Sequence, residues 1–307
     1  MKKKKVLGSF LAATMFASLF VGSASAAEVT TPQQQNGQHL GVDDDKEHPV
    51  KPVVIKEDKV KEQKLDQKLK KAGYTDDVLA EMQTDLKEHL ISQGVEKYLG
   101  TEKKEFNLDE HGMLKEKAKE NGDVTASSGT ISDTSLTLYI DRAELASSSG
   151  KRRFTITNRW TWSKSVGING DTYYNLTDKI GMAYSDKFNA DPLTNGGYQC
   201  SHSGQEVATG VNKYFDSCGG RPSTIDYGGA GWNVDIHANY RDYGWSSMNI
   251  IAKTAYTGGK YYSSVNTKYA HDTTLNGSLG LTIGPLSLAF SSTGGWDEAS
   301  DSLAFYY

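Results

Sequence analysis

Two histidines stand beside carboxylates in stretches that otherwise read as strands: His237 between Asp235 and Asn239, and His271 followed by Asp272. Imidazole next to carboxylate serves metal ligation or acid–base chemistry, provided that the two strands lie side by side. The plainer reading makes them polar-face residues of a sheet open to water on one side, and it is preferred here. His202 is read the same way. Trp160 and Trp162, with Tyr173 and Tyr174 beyond an Asn169-Gly170 turn, could line a groove for sugars or membrane headgroups, because an aromatic ring joins an apolar face to a polar tip. Filling a core explains two same-face tryptophans more simply. Tyr261 and Tyr262 are adjacent and fall on opposite faces, so both cannot be buried, and this tyrosine surplus is the best hint of a binding surface.

Motifs that would name a reaction are missing. The chain has no Gly-x-Ser-x-Gly elbow, no His-Glu-x-x-His, no glycine-rich phosphate loop and no calcium loop of alternating acids. A triad is recognised by geometry, so a hydrolase built on His237 and Asp235 stays open as a reading. Asp178, Asp186 and Asp216 flank strand ends; paired carboxylates would suit glycoside hydrolysis, but turns collect Asp for their own reasons. No metal and no cofactor is expected.

Lys2 to Lys5, an apolar run from Val6 to Val21 and Ser23-Ala-Ser-Ala26 form a secretory signal peptide over residues 1–26, too short in its apolar part to be a span. Removing it takes away four lysines and no acid, leaving 30 basic against 38 acidic side chains, a net charge of −8. Such a balance excludes non-specific nucleic-acid binding, which needs clustered cations. In an exported chain Cys200 and Cys218 are expected to pair, with metal ligation as the alternative.

These side chains need a scaffold, and alternation supplies it. Trp232, Val234, Ile236, Ala238 and Tyr240 alternate with polar residues, and after Arg241-Asp-Tyr-Gly the pattern restarts at Met248, Ile250, Ala252, Thr254 and Tyr256, until Thr257-Gly-Gly turns the chain. Further strands are expected at 136–140, 154–162, 179–184, 207–214, 261–269, 275–283, 286–291 and 303–307, punctuated by glycine turns. Leu279, Leu281, Ile283 and Leu286, Leu288, Phe290 alternate with Ser, Thr and Gly, which would also suit a membrane-inserting hairpin, although a half-buried hairpin is the simpler reading. Residues 27–56 are polar and Pro-containing and read as a flexible leader. Residues 57–129 read as a helical segment and linker: a thin Val60, Leu65, Leu69 stripe stopped by Gly73, a helix capped at Thr75 carrying Leu79, Met82, Leu86 and Leu90 and ended by Gly94, and a third helix over 109–120. All five Trp and fifteen of seventeen Tyr follow residue 129. The fold class expected is mainly β, an antiparallel β-sandwich over residues 130–307 behind this helical front.

Gly73-Tyr-Thr-Asp-Asp-Val-Leu-Ala-Glu-Met82, Trp160-Thr-Trp162 and an ending with Tyr269-Ala-His271, Ser-rich strands and Trp296 resemble a group of uncharacterised secreted proteins of Gram-positive, Bacillus-type bacteria. The resemblance implies secretion and a helical front before a β domain; it implies no activity. The reading preferred is a secreted protein that binds an extracellular or cell-envelope component, such as cell-wall carbohydrate or a target-cell surface, without a stable membrane span. A membrane-active, bacteriocin-like toxin with residues 27–129 as a removable segment is the first alternative, and an extracellular hydrolase the second.

Overall fold

The computed structural model describes residues 52–56, 58–108, 114–117, 135–165, 176–258, 261–272 and 279–306. In chain order these form β1 (Val53–Val54), α1 (Lys59–Lys71), α2 (Asp76–Ala80), α3 (Thr84–Ser92), β2 (Val95–Leu108), β3 (Leu114–Glu116), β4 (Leu136–Ser148), β5 (Lys151–Trp162), β6 (Leu176–Tyr184) and β7 (Phe188–Ala190). After a 3-10 turn at Pro192–Gly197 come β8 (Gln199–Glu206), β9 (Asn212–Asp216), β10 (Thr224–Asp226), β11 (Gly229–Ile236), β12 (Tyr240–Ala252), β13 (Tyr262–Asp272), β14 (Leu279–Gly284), β15 (Ser287–Ser292) and β16 (Trp296–Tyr306).

The strands build two antiparallel sheets and a separate hairpin. The first sheet runs β1-β9-β8-β12-β5-β4-β2-β3 with β7 also on β12; the second runs β10-β11-β6-β13-β16. One core cluster draws Leu138, Ile140, Phe154, Ile156, Trp160, Met248 and Ile250 from the first sheet and Ile180, Met182, Trp232, Val234, Val265 and Tyr269 from the second. Inward-facing residues of both sheets thus share one interior, the sandwich that the alternation predicts. Ser149-Gly150, both at positive φ (50° and 71°), close the β4–β5 hairpin in the two-residue geometry that matches strand twist.

The helices cover the outer face of the first sheet. Asp58 caps α1 by accepting from the Lys61 N–H at 3.0 Å, and Gly73, at φ 95°, ends it while the Tyr74 N–H donates to the Leu69 carbonyl at 3.2 Å. The helix expected after Thr75 is split: Glu81 closes α2 and Gln83 is extended before α3. The Glu81 carbonyl is taken by Arg159 Nη1 at 2.8 Å, a bond to the sheet that replaces a helical one. Arg159 itself forms a doubly hydrogen-bonded pair with Asp141 (2.5 and 3.0 Å), both 2% exposed. Leu69, Leu79, Leu86 and Leu90 then bury against Ala143 and Trp245 of the sheet.

Other expectations need correction. Leu114–Glu116 is a strand paired with β2, where a helix over 109–120 is expected; the rest of that stretch lies outside the described residues. Residues 95–108 are strand as well, joined to the large sheet through β4. Their period-two signal is hidden because the solvated positions are a run of Lys and Glu and Phe106 is the deeply buried apolar side chain. Of the strand expected over 207–214, residues 207–211 are the turn between β8 and β9, with Val207 and Val211 exposed, and residues 212–214 open β9. In the 231–256 stretch the chain bends at residues 237–239, with Asn239 at φ 68°, so Tyr240 opens the second strand; β11 and β12 belong to opposite sheets.

The β14–β15 hairpin lies on the outer face of the second sheet, with Ile283 and Leu288 packed on Ala183. Its bed is made of glycines. A Cβ at Gly231 would stand 2.2 Å from Leu281 Cδ2, one at Gly181 2.9 Å from Leu288 Cδ2, and one at Gly229 2.1 Å from the Met182 carbonyl oxygen and 2.8 Å from Ile283 Cγ2. The alternating apolar side chains therefore face protein.

Candidate functional site

Alternation decides where each candidate side chain points. On β5 and β12 the even-numbered residues face the interior. Trp160 and Trp162 are accordingly 0% and 1% exposed, so neither offers a ring to a surface ligand, and the groove reading for them is corrected; Tyr173 and Tyr174 lie outside the described residues.

The two histidine–carboxylate pairs separate into different clusters. Asp235 faces away from the core and accepts from Thr177 Oγ1 of β6 at 2.8 Å. His237, past the end of β11, meets Asp242 of β12 instead: its backbone N–H donates to Asp242 Oδ1 at 3.3 Å, and its ring stacks on Phe215 with centroids 3.9 Å apart. His271 pairs with the fully buried Asp178 through Nδ1 at 3.0 Å. Tyr269 donates its hydroxyl to the same carboxylate and accepts from Trp162 Nε1 at 3.0 Å. Burial, and after it the Asp178 charge, holds the Tyr269 phenol well above its ordinary pKa. That network is sealed in the core and positions strands. Of the other carboxylates, Asp186 is exposed in a turn and Asp216 accepts from the Cys218 N–H at 2.6 Å, so neither shares the sealed surroundings of Asp178.

The accessible concavity lies on the opposite face of the first sheet. Between α3 and β8 runs a cleft of about 380 Å³ lined by Asp85, Glu88, His89, Ser201, Tyr214, Ser217 and Trp245. A second, of about 340 Å³, continues from it past His89 and Gln199 to Gln93, Asn195, Tyr198 and Arg221. Their far wall is tied by the Cys200–Cys218 disulfide, with Cα atoms 5.7 Å apart, which joins β8 to the loop after β9. Ser201 Oγ donates to Asp85 Oδ2 at 2.5 Å across the first cleft.

Its floor is Trp245, 1% exposed and stacked on His89 with centroids 4.9 Å apart. The Trp245 indole N–H has no hydrogen-bond partner there. Burial pushes the His89 imidazole down to about 4, against a smaller upward effect of Gln199, so the ring is neutral at physiological pH. Burial likewise pushes Tyr198 up to about 12. His89 Nε2 and Ser247 Oγ are 3.0 Å apart, the spacing of a base and a nucleophile. Ser247 is 0% exposed beneath the helix, so no substrate carbonyl reaches it, and the pair is a strut between α3 and the sheet.

Sequence reasoning missed this groove because its walls come from α3, β8, β12 and the loop after β9, which only the folded topology brings together. One signal was available. Trp245 sits on the face of β12 that otherwise carries Tyr243, Ser247 and Asn249, and a tryptophan on a polar face announces a covering layer.

No family model and no curated protein matches this chain. Among solved structures, it is similar to the collagen binding domain of Erysipelothrix rhusiopathiae surface protein RspB, with 9% identity over 56% of this chain and a TM-score of 0.24; the match spans 64% of that domain. AvmM, described as catalysing macrocyclization in alchivemycin A biosynthesis, matches 53% of this chain and 88% of its own at 8% identity and a TM-score of 0.18. At these TM-scores neither likeness carries an argument about function.

Proposed function

We propose that this is an exported β-sandwich protein that binds a component of the cell envelope or of its surroundings, and that the groove between α3 and β8 is its binding site. The carrying observation is the composition of that groove. Amide, carboxylate, guanidinium and hydroxyl groups (Gln93, Gln199, Asp85, Arg221, Ser217) alternate with the partly exposed rings of Tyr198 and Tyr214 above an indole N–H that lacks a partner. Aromatic faces beside convergent polar groups suit a polyhydroxylated chain such as cell-wall carbohydrate. Export rests on the Lys2–Ala26 leader, and a disulfide beside the groove is in keeping with an oxidising destination.

Two observations weigh against the membrane-active reading. The alternating hairpin is already seated on its glycine bed, and taking away residues 27–129 would remove β2 from the large sheet and uncover Trp245. The test is co-sedimentation of the purified protein with cell-wall polysaccharide fractions. Binding lost in Tyr198→Ala and Gln199→Ala supports the proposal; recovery of the parent protein wholly in the supernatant across all fractions overturns it.

A further inference from the structure

The bend at residues 237–239, where the chain passes from the second sheet to the first, gathers three metal-ligating side chains from distant sequence positions. Candidate ligand atoms of His202 (β8), His237 and Asp242 (β12) all lie within 4.8 Å of one another. His202 Nε2 is 2.9 Å from Asp242 Oδ1, and His237 Nδ1 is 3.6 Å from the same oxygen. A tetrahedral zinc ion with ligand bonds of about 2.0–2.1 Å sets its ligand atoms about 3.3 Å apart, between those two separations.

The electrostatic surroundings ask for an ion. His202 and Asp242 are both 0% exposed. His202 Nδ1, His237 Nδ1 and Asp242 Oδ2 are buried without a hydrogen-bond partner. A divalent cation held by His202 Nε2, His237 Nδ1 and Asp242 Oδ1 would give the unpartnered His237 nitrogen a partner and use two imidazoles and a carboxylate at once. Rings wall the site: Phe215 stacks on His237, and Trp160 stands 6.5 Å from His202. Space for both rings comes from glycine, since a Cβ at Gly204 would stand 2.7 Å from Phe215 and one at Gly244 2.4 Å from Trp160. His237, 24% exposed, provides the entry. The pocket faces the interior of the sandwich and is separate from the groove, which Ser201 and Trp245 line from the other side of β8 and β12.

We infer that His202, His237 and Asp242 form a binding site for a divalent transition-metal ion of the zinc class, with a fourth position left for water or a ligand on the His237 side. The ion joins β8 to the end of β11 and so fastens one sheet to the other at the bend.

The test uses the full-length chain, stripped with EDTA and titrated with Zn²⁺ and, as a spectroscopic probe, Co²⁺. One ion per chain is expected, with the intense visible absorption of tetrahedral cobalt and, at zinc a hundredfold above its dissociation constant, a rise in Tm of roughly 5–10 °C. His237→Gln, at the exposed ligand, abolishes the cobalt band, whereas Asp235→Asn, on the opposite strand face, leaves it unchanged. A parent protein that gives neither cobalt band nor Tm shift overturns the inference without recourse to any variant. A band that survives in folded His237→Gln assigns the ion to His39, His48 or another histidine and overturns it equally. Should His237→Gln fail to fold, loss of the band in His237→Asn or His237→Ala replaces it, and persistence of the band there has the same overturning force.

Discussion

His89 makes the folded state sensitive to acid, and the effect can be sized. Burial between α3, which carries it, and the first sheet lowers its imidazole from the ordinary 6.5 to about 4. An unfolded chain therefore takes up a proton that the folded chain refuses between those two values. Stability from this group is fully present above about pH 6.5 and is lost as pH falls toward 4. A gap of about 2.5 units corresponds to roughly 3 kcal/mol. The experiment is urea unfolding followed by tryptophan fluorescence, at pH 7 and at pH 4, for the parent and for His89→Gln, whose amide spans a similar reach to Ser247. Subtracting the variant removes the contribution of every other titrating group. The parent is expected to lose roughly 3 kcal/mol more than the variant over that interval. Equal losses in the two proteins, or a parent that gains stability on acidification, would refute the assignment of a neutral, buried His89.

Three further outcomes follow from the packing. Replacing Cys200 and Cys218 together by Ser opens an 18-residue loop and lowers the unfolding free energy by roughly 3 kcal/mol, read from the urea midpoint. Arg159→Met leaves the buried Asp141 without its partner and costs about 3–5 kcal/mol, while the double change Arg159→Met with Asp141→Leu costs less; denaturation of the three proteins as a cycle decides it. Gly229→Ala forces a methyl group against the Met182 carbonyl and the hairpin and destabilises by about 1–3 kcal/mol; an unchanged Tm contradicts the close fit of that bed.

The sandwich was legible where one strand face is strongly apolar. Phe154, Ile156, Trp160 and Trp162 share a buried face as their spacing predicts, and Gly73 and Gly94 end their helices at positive φ. Legibility failed where the pattern carried no contrast. Lys103, Lys104 and Glu105 of β2 are solvated strand residues that read as helix or linker, and the alternation from Trp232 to Tyr240 continues unbroken through a bend that changes sheets. The candidate sites were harder still. Asp235 and His237 are two residues apart, yet the first bonds sideways to Thr177 and the second reaches forward to Asp242 because the chain turns between strand and corner. Asp85, Gln93 and Gln199 carry no local signature at all; only the docking of α3 against β8 gives them a common space.

β12 pairs with β5, β7 and β8 and carries the tryptophan on which the helices rest, and its two sides do unrelated jobs: Asp242, Met248 and Ile250 look inward, Tyr243, Trp245 and Ser247 outward. Because a pleated strand reverses direction at each step, one inserted or deleted residue between Tyr240 and Ala252 would exchange those sides along the remainder of the strand. Descendants of this chain can therefore gain or lose length beyond Ala252, while the span from His237, whose N–H reaches Asp242, to Ala252 must evolve by replacement alone.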